Sequence, residues 1–86
     1  MLRLEFSAEG WSDYLYWQEH NARQLKRINK LIQEALKTPH SGTGKPEPLR
    51  WELHGCWSRR IDQEHRLVYR VQNDILQILA CRTHYE

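Results

Sequence analysis

At 86 residues the chain has room for one domain, 1–86, whose core must be small, since a fold this size buries only about 60% of its unfolded surface. Hydrophobic residues at 40% and charged residues at 28% exclude a disordered chain, and 13 Lys and Arg against 11 acids are too even to indicate nucleic acid by themselves. Cys56 and Cys81 lack the spacing and partners of a zinc site, and no run nears the roughly 18 apolar residues of a membrane span. With no signal-like N-terminal run either, the expectation is a cytoplasmic protein with free thiols and no membrane association.

Leu2-Arg3-Leu4-Glu5-Phe6 alternates with a period of two and predicts a first strand. Ser7 is placed to cap the helix that follows, in which Trp11, Tyr14, Leu15 and Gln18 recur at helical spacing. The aromatics Trp11, Tyr14, Tyr16 and Trp17 read as a packed helix face rather than a stacking platform. Asn21 can cap a second helix, with Gln24 completing a loose capping box. Leu25, Ile28, Leu31, Ile32, Ala35 and Leu36 form its apolar stripe, and Thr38-Pro39 ends it. The charges Arg23, Lys26, Arg27 and Lys30 on this helix read equally well as a solvated face.

Residues 40–48 form an irregular segment rich in Gly and Pro, in which Glu47 is held between two prolines. Three strands are predicted after it. The first is 52–61, broken by a bend at Gly55; the others are 66–71 and 75–82, after the polar turns 62–65 and 72–74. Alternation sets Arg66, Val68 and Arg70 against Leu67, Tyr69 and Val71, so one sheet face should pack on the helices and the other display arginines. The fold class is α+β: two N-terminal helices packed on a curved antiparallel sheet.

No phosphate-cradling glycine loop, nucleophile elbow or HExxH helix is present. The residues able to carry chemistry are a carboxylate, several arginines and the pair His84-Tyr85. Each alone is ordinary: a lone surface Glu is common, and a terminal His-Tyr is more often a docked tail than a catalytic group.

Several stretches taken in order are specific. Trp11-Ser12-Asp13-Tyr14-Leu15-Tyr16-Trp17-Gln18-Glu19, Gly44-Lys45-Pro46-Glu47-Pro48-Leu49, Trp57-Ser58-Arg59-Arg60-Ile61, Glu64-His65-Arg66-Leu67-Val68-Tyr69 and Ala80-Cys81-Arg82-Thr83-His84-Tyr85 together resemble the YoeB branch of the RelE/ParE-like toxins of bacterial type II toxin–antitoxin systems. The likeness covers nearly the whole chain. It implies a ribosome-dependent endoribonuclease that cleaves messages at the A site of the 70S ribosome, with no cofactor and no metal. By the same resemblance Glu47 looks like the general base, Arg66 the group facing the phosphate, His84 the general acid and Tyr85 a residue that positions or stacks on the RNA. Lys45, Arg50, Arg59 and Arg60 look like RNA contacts, with Arg50 standing where the family commonly has Lys. Glu86 extends one residue past the family's usual terminal Tyr. Implied partners are a cognate YefM/Phd-like antitoxin, the ribosome with its A-site message, and operator DNA only through the antitoxin. A homodimer is compatible with all of these.

The implied chemistry is self-consistent. RNA carries its own nucleophile, the 2′-OH, and needs a base, a cation for the phosphate oxygens and an acid for the departing 5′-oxygen. Burial and nearby arginines push a glutamate's pKa in opposite directions, and the sequence leaves the balance open. Two alternatives differ in class. A gyrase-poisoning toxin of the same fold would not need the Glu47, Arg66 and His84 trio. An independent DNA-binding co-repressor would need a recognition helix, and none is seen.

Overall fold

The computed structural model describes residues 1–83, Thr83 by its backbone only; His84, Tyr85 and Glu86 lie outside the described residues. Strand β1 (Arg3–Phe6) leads into helices α1 (Ala8–His20) and α2 (Ala22–Lys37). Strands β2 (Glu47–Pro48), β3 (Trp57–Arg60), β4 (Arg66–Gln72) and β5 (Ile75–Thr83) follow. They form one sheet in the order β1-β5-β4-β3-β2. The expected antiparallel meander is present as β3-β4-β5, but β1 joins it parallel to β5, with Arg3 opposite Ile75 and Phe6 opposite Ile78. A parallel partner needs a long crossover, and here the helical hairpin and three strands supply it.

Local chemistry accounts for the element ends. The Gly10 N–H donates to Ser7 Oγ at 3.1 Å and the Gln24 N–H to Asn21 Oδ1 at 3.1 Å, so both N-caps form as expected. Only half of the capping box exists, because the Gln24 side chain reaches Asp62 instead of turning back on Asn21. Asn73 and Asp74 both take positive φ (53° and 68°) between the paired residues Gln72 and Ile75, the two-residue turn that matches strand twist. Gly10 is needed where it stands: a Cβ there would lie 2.3 Å from the Ile78 carbonyl oxygen, so α1 rests directly on β5.

The core lies between the helices and one face of the sheet. Ile28, Leu31, Ile32 and Ala35 of α2 meet Leu67, Tyr69, Leu76 and Ile78. Of the aromatic run on α1, Trp17 is buried and donates its indole N–H to the Cys81 carbonyl at 2.8 Å, while Trp11 remains 47% exposed beside Phe6 and Tyr14. Both thiols are buried and unpaired, and burial, helped by the Asp13 carboxylate, pushes Cys81 up to about 12. Among the described residues no helix is long and apolar enough to cross a membrane.

The strand expected over 52–61 is shorter. Residues Trp51–Leu53 form a 3-10 turn and β3 begins only at Trp57, because Trp51 and Gly55 take left-handed φ (59° and 94°) that no strand accommodates. Conversely, Glu47–Pro48, expected to be irregular, pairs with β3 as the sheet's edge.

Candidate active site on the open face of the sheet

Directly opposed strand residues share a face, so the register sorts the charged side chains. One row across the sheet runs Glu47, Ser58, Val68, Ala80; the next runs Arg60, Arg66, Thr83. The side chains of both rows up to Arg66 and Ala80 lie on the face turned away from the helices. Part of that face is covered: Leu49 and Leu53 fold back over Cys56, Val68 and Ala80 as a second, small core. The open arginine face expected from the alternation is therefore real at Arg60, Arg66 and Arg70, but Val68 between them is buried under residues 49–56.

Glu47 is exposed on the edge strand, and its carboxylate has no hydrogen bond or ion pair among the described residues. It lies two strands and two residues from Arg66, about 12 Å between Cα atoms at ordinary sheet spacings. Side chains of their length can span such a gap to a group the size of a phosphodiester. Arg60 and Arg66 face one another directly. Two like charges so placed repel, and no carboxylate among the described residues pairs with either guanidinium. Such an arrangement suits an anion.

Arg66 is held by neutral partners. Its Nη1 donates to the carbonyls of Asp62 (3.0 Å) and His65 (3.1 Å), which orient the guanidinium without cancelling its charge. The turn providing those carbonyls is organised by Asp62, whose carboxylate accepts the backbone N–H groups of Glu64 and His65 and contacts the His65 ring. Burial works to raise the Asp62 pKa, but the His65 backbone and side chain, Gln24 and the Glu64 N–H outweigh it and hold the carboxyl well below the ordinary range. The His65 ring also packs edge-on against Trp17, with centroids 4.9 Å apart. Sequence reasoning missed this seat. Asp62 stood in the polar turn, but nothing in the spacing shows that a turn aspartate organises the carbonyls beneath an arginine.

Lys45 and Arg50 are both exposed and flank β2, Lys45 with φ 51°. Arg70 is engaged on the same face, donating to Gln77, which in turn donates to Glu5. Arg59 departs from the expected RNA-contact role. It is 0% exposed on the helix side, its Nε donating to Tyr69 and its terminal nitrogens to the carbonyls of Thr38, Ser41 and Thr43, with Glu34 3.5 Å away. With its donors so used and solvent excluded, it offers a phosphate no surface. The signal was available: Arg59 is in phase with Trp57 and Ile61, both apolar. Tyr69 donates onward to the Pro39 carbonyl at 2.6 Å, so this buried cluster secures the loop that leads into Lys45 and Glu47. Burial raises the Tyr69 pKa despite the opposing effect of Arg59.

His84 and Tyr85 lie outside the described residues, but the backbone at Thr83 is partnered to Arg66. Among the described residues no group of three or more His, Cys, Asp or Glu is arranged to hold a metal ion.

Comparison with known proteins identifies the family and the fold. Residues 6–85 match a family described as the YoeB-like toxin of bacterial type II toxin–antitoxin systems. Toxin YoeB of Escherichia coli strain K12 is 57% identical over 84 residues, spanning 98% of this chain and all of that one. The solved YoeB/ParE toxin from Agrobacterium tumefaciens superposes with a TM-score of 0.94 at 46% identity, over 98% of this chain and 100% of its own. The toxin of a YoeB–YefM complex from Staphylococcus aureus superposes at 0.89 with 41% identity over 99% of each chain, and a YoeB dimer from the same organism at 0.89 with 40% over 98% of each.

Proposed function

The chain belongs to the YoeB-like toxins of bacterial type II toxin–antitoxin systems, and from that premise we propose that it is a ribosome-dependent mRNA endoribonuclease acting in the cytoplasm. The observation that carries the reading is the pair of uncompensated arginines, Arg60 and Arg66, facing each other one row from the unpartnered Glu47. A phosphodiester bound there meets two cations and a carboxylate.

In the proposed reaction Glu47 takes the proton of the 2′-OH, and the 2′-oxygen attacks the adjacent phosphorus. Arg66 stabilises the charge that grows on the non-bridging oxygens. The bond to the 5′-oxygen breaks as His84 protonates the leaving group, yielding a 2′,3′-cyclic phosphate and a 5′-OH. No metal enters the balance. His84 suits the acid role because it directly follows Thr83, the backbone partner of Arg66. Tyr85 would stack on or position the RNA, while Lys45, Arg50 and Arg60 would hold phosphates. A bare carboxylate base is modest, and the ribosome's alignment of the A-site message would supply the missing positioning.

A YefM/Phd-like antitoxin is the proposed inhibitor, by analogy with the Staphylococcus aureus complex, and a homodimer by analogy with the dimer of that toxin. Operator DNA would be reached only through the antitoxin.

The test is end-group analysis of a message cut on programmed ribosomes. A cyclic phosphate and a 5′-OH are expected, with EDTA without effect and a 2′-deoxy substitution at the scissile nucleotide abolishing cutting. Glu47→Gln and His84→Ala should each lower the single-turnover rate by about 10²–10⁴-fold while ribosome binding survives. Products bearing a 5′-phosphate and a 3′-OH would reject the mechanism.

A further inference from the structure

The segment that folds back over the open face is built asymmetrically. Leu49 and Leu53 point inward onto Cys56, Val68 and Ala80, and the segment is closed by hydrogen bonds from the Leu49 N–H to the Cys56 carbonyl and from the His54 N–H to the Trp51 carbonyl. Trp51 lies between the two leucines and is 86% exposed, more than any other large hydrophobic residue among the described residues. Its ring stacks on no other aromatic and makes no hydrogen bond among the described residues. Its backbone sits at φ 59°, a region a bulky side chain rarely adopts. The fold therefore holds an indole in water, on a strained backbone, without using it for packing. Strain of this kind persists where the surrounding structure enforces it, and it gathers at functional sites.

The surroundings narrow what the indole meets. Arg50 precedes it and is exposed, as is His54; Glu52 is the one acid in the segment. Trp51 is four residues beyond Glu47, no more than about 14 Å along the chain. It thus borders the face that carries Glu47, Arg60 and Arg66. A partner with phosphates for the arginines and flat unpaired rings for the indole is single-stranded RNA.

We propose that Trp51 is a stacking subsite for an unpaired message base next to the scissile nucleotide, with Arg50 meeting that nucleotide's phosphate. This rests on the ribonuclease reading above and adds a specificity element to it. Stacking acts on ground state and transition state alike, so its loss should weaken binding rather than slow the chemical step.

The test uses single-turnover cleavage on programmed ribosomes with Trp51→Ala, Trp51→Leu and Trp51→Phe, each checked for unchanged Tm. Trp51→Ala should raise the half-saturating ribosome concentration about tenfold, within the range that one stacked base contributes. The saturating rate should stay within about twofold. Trp51→Phe, which keeps a π-face, should recover most of the loss; Trp51→Leu, which keeps bulk without one, should not. A second arm titrates each variant with a short single-stranded RNA made uncleavable by 2′-deoxy substitution, where the same ranking is expected.

Wild-type half-saturation in Trp51→Ala, or a leucine as good as phenylalanine, would overturn the stacking subsite while leaving the ribonuclease reading intact. A defect on ribosomes with unchanged oligonucleotide binding would overturn the assignment to the message. A loss confined to antitoxin affinity would identify the indole as a protein anchor and overturn it as well. Absence of cleavage by the wild-type protein would instead sink the underlying function.

Discussion

The guanidinium of Arg59 is closed off from water and donates to three loop carbonyls and a tyrosine hydroxyl, whereas Arg60, one residue on, is exposed on the opposite side of the sheet without a carboxylate partner. The same side chain thus serves two purposes, set by the parity of its position on β3. On the covered side an arginine costs a great deal to bury and is retained because its planar fork satisfies several carbonyls at once. On the open side the charge is left uncompensated, and its value lies in what can bind. A basic motif in a sequence therefore needs its strand phase before it can be assigned to a surface.

The largest expected effect breaks the covered side. Arg59→Ala leaves the Thr38, Ser41 and Thr43 carbonyls without their buried donor and should cost about 3–5 kcal/mol, enough to lower Tm by more than about 10 °C or to unfold so small a domain. Arg59→Lys, which keeps charge but loses the fork, should fall between wild type and alanine in a thermal melt. A melt of Arg59→Ala indistinguishable from wild type would remove the basis for separating the two arginines.

A smaller effect is expected at the turn beneath Arg66. Asp62→Asn keeps an acceptor but loses the charge, and should cost about 1 kcal/mol while also lowering cleavage, because Arg66 loses its oriented carbonyls. The folded-state pKa of Asp62 is depressed, as is that of Glu34, where the Thr43 backbone N–H is the main cause. Groups shifted in this direction contribute stability that is complete above their ordinary values and lost as pH falls below about 4. Tm should therefore be flat from pH 7 down to about 5 and drop below 4, with a shallower drop in Asp62→Asn.

The smallest effect is expected on the open side. Arg60→Ala should leave Tm within about 2 °C, since exposed charges contribute little to folding. Ribosome affinity should fall and the slope of its logarithm against log salt should flatten by about one, as a lost phosphate contact requires. An unchanged slope would mean that Arg60 meets no phosphate.

The legible parts of the molecule are those governed by neighbours in sequence. Ser7 and Asn21 as caps, the stripe from Leu25 to Leu36 and the turn expected over 72–74 depend on contacts within a few residues, and all four appear, the turn narrowed to Asn73-Asp74 because Gln72 stays in β4. The parallel pairing of β1 with β5 joins residues about 72 apart, and nothing in Leu2–Phe6 encodes which strand it will meet. The fold-back of residues 49–56 was hidden for a related reason: Glu52 to Ile61 alternates well enough to pass for a strand, and only tertiary packing of Leu49 and Leu53 shows otherwise. For the candidate site, Glu47 and Arg66 stand out only through resemblance, since isolated carboxylates and arginines carry no local signature. The error at Arg59 came from reading a motif without its phase.

The pairing of β1 with β5 also sets the order in which the fold can assemble. Ser7 donates its hydroxyl to the Leu79 carbonyl and Gln77 reaches Glu5, each contact spanning 72 residues. Closing such a loop costs about 4 kcal/mol of chain entropy before a single strand bond repays it. The helical hairpin can form early from local contacts, but its apolar stripe has no surface to rest on until β4 and β5 exist. A nascent chain emerging N-terminus first thus exposes Ile28, Leu31 and Ile32 while most of the molecule is still being made. The face that carries Glu47 and Arg66 comes together only once β5 is synthesised, so that face is assembled last, by the same strand that completes the fold.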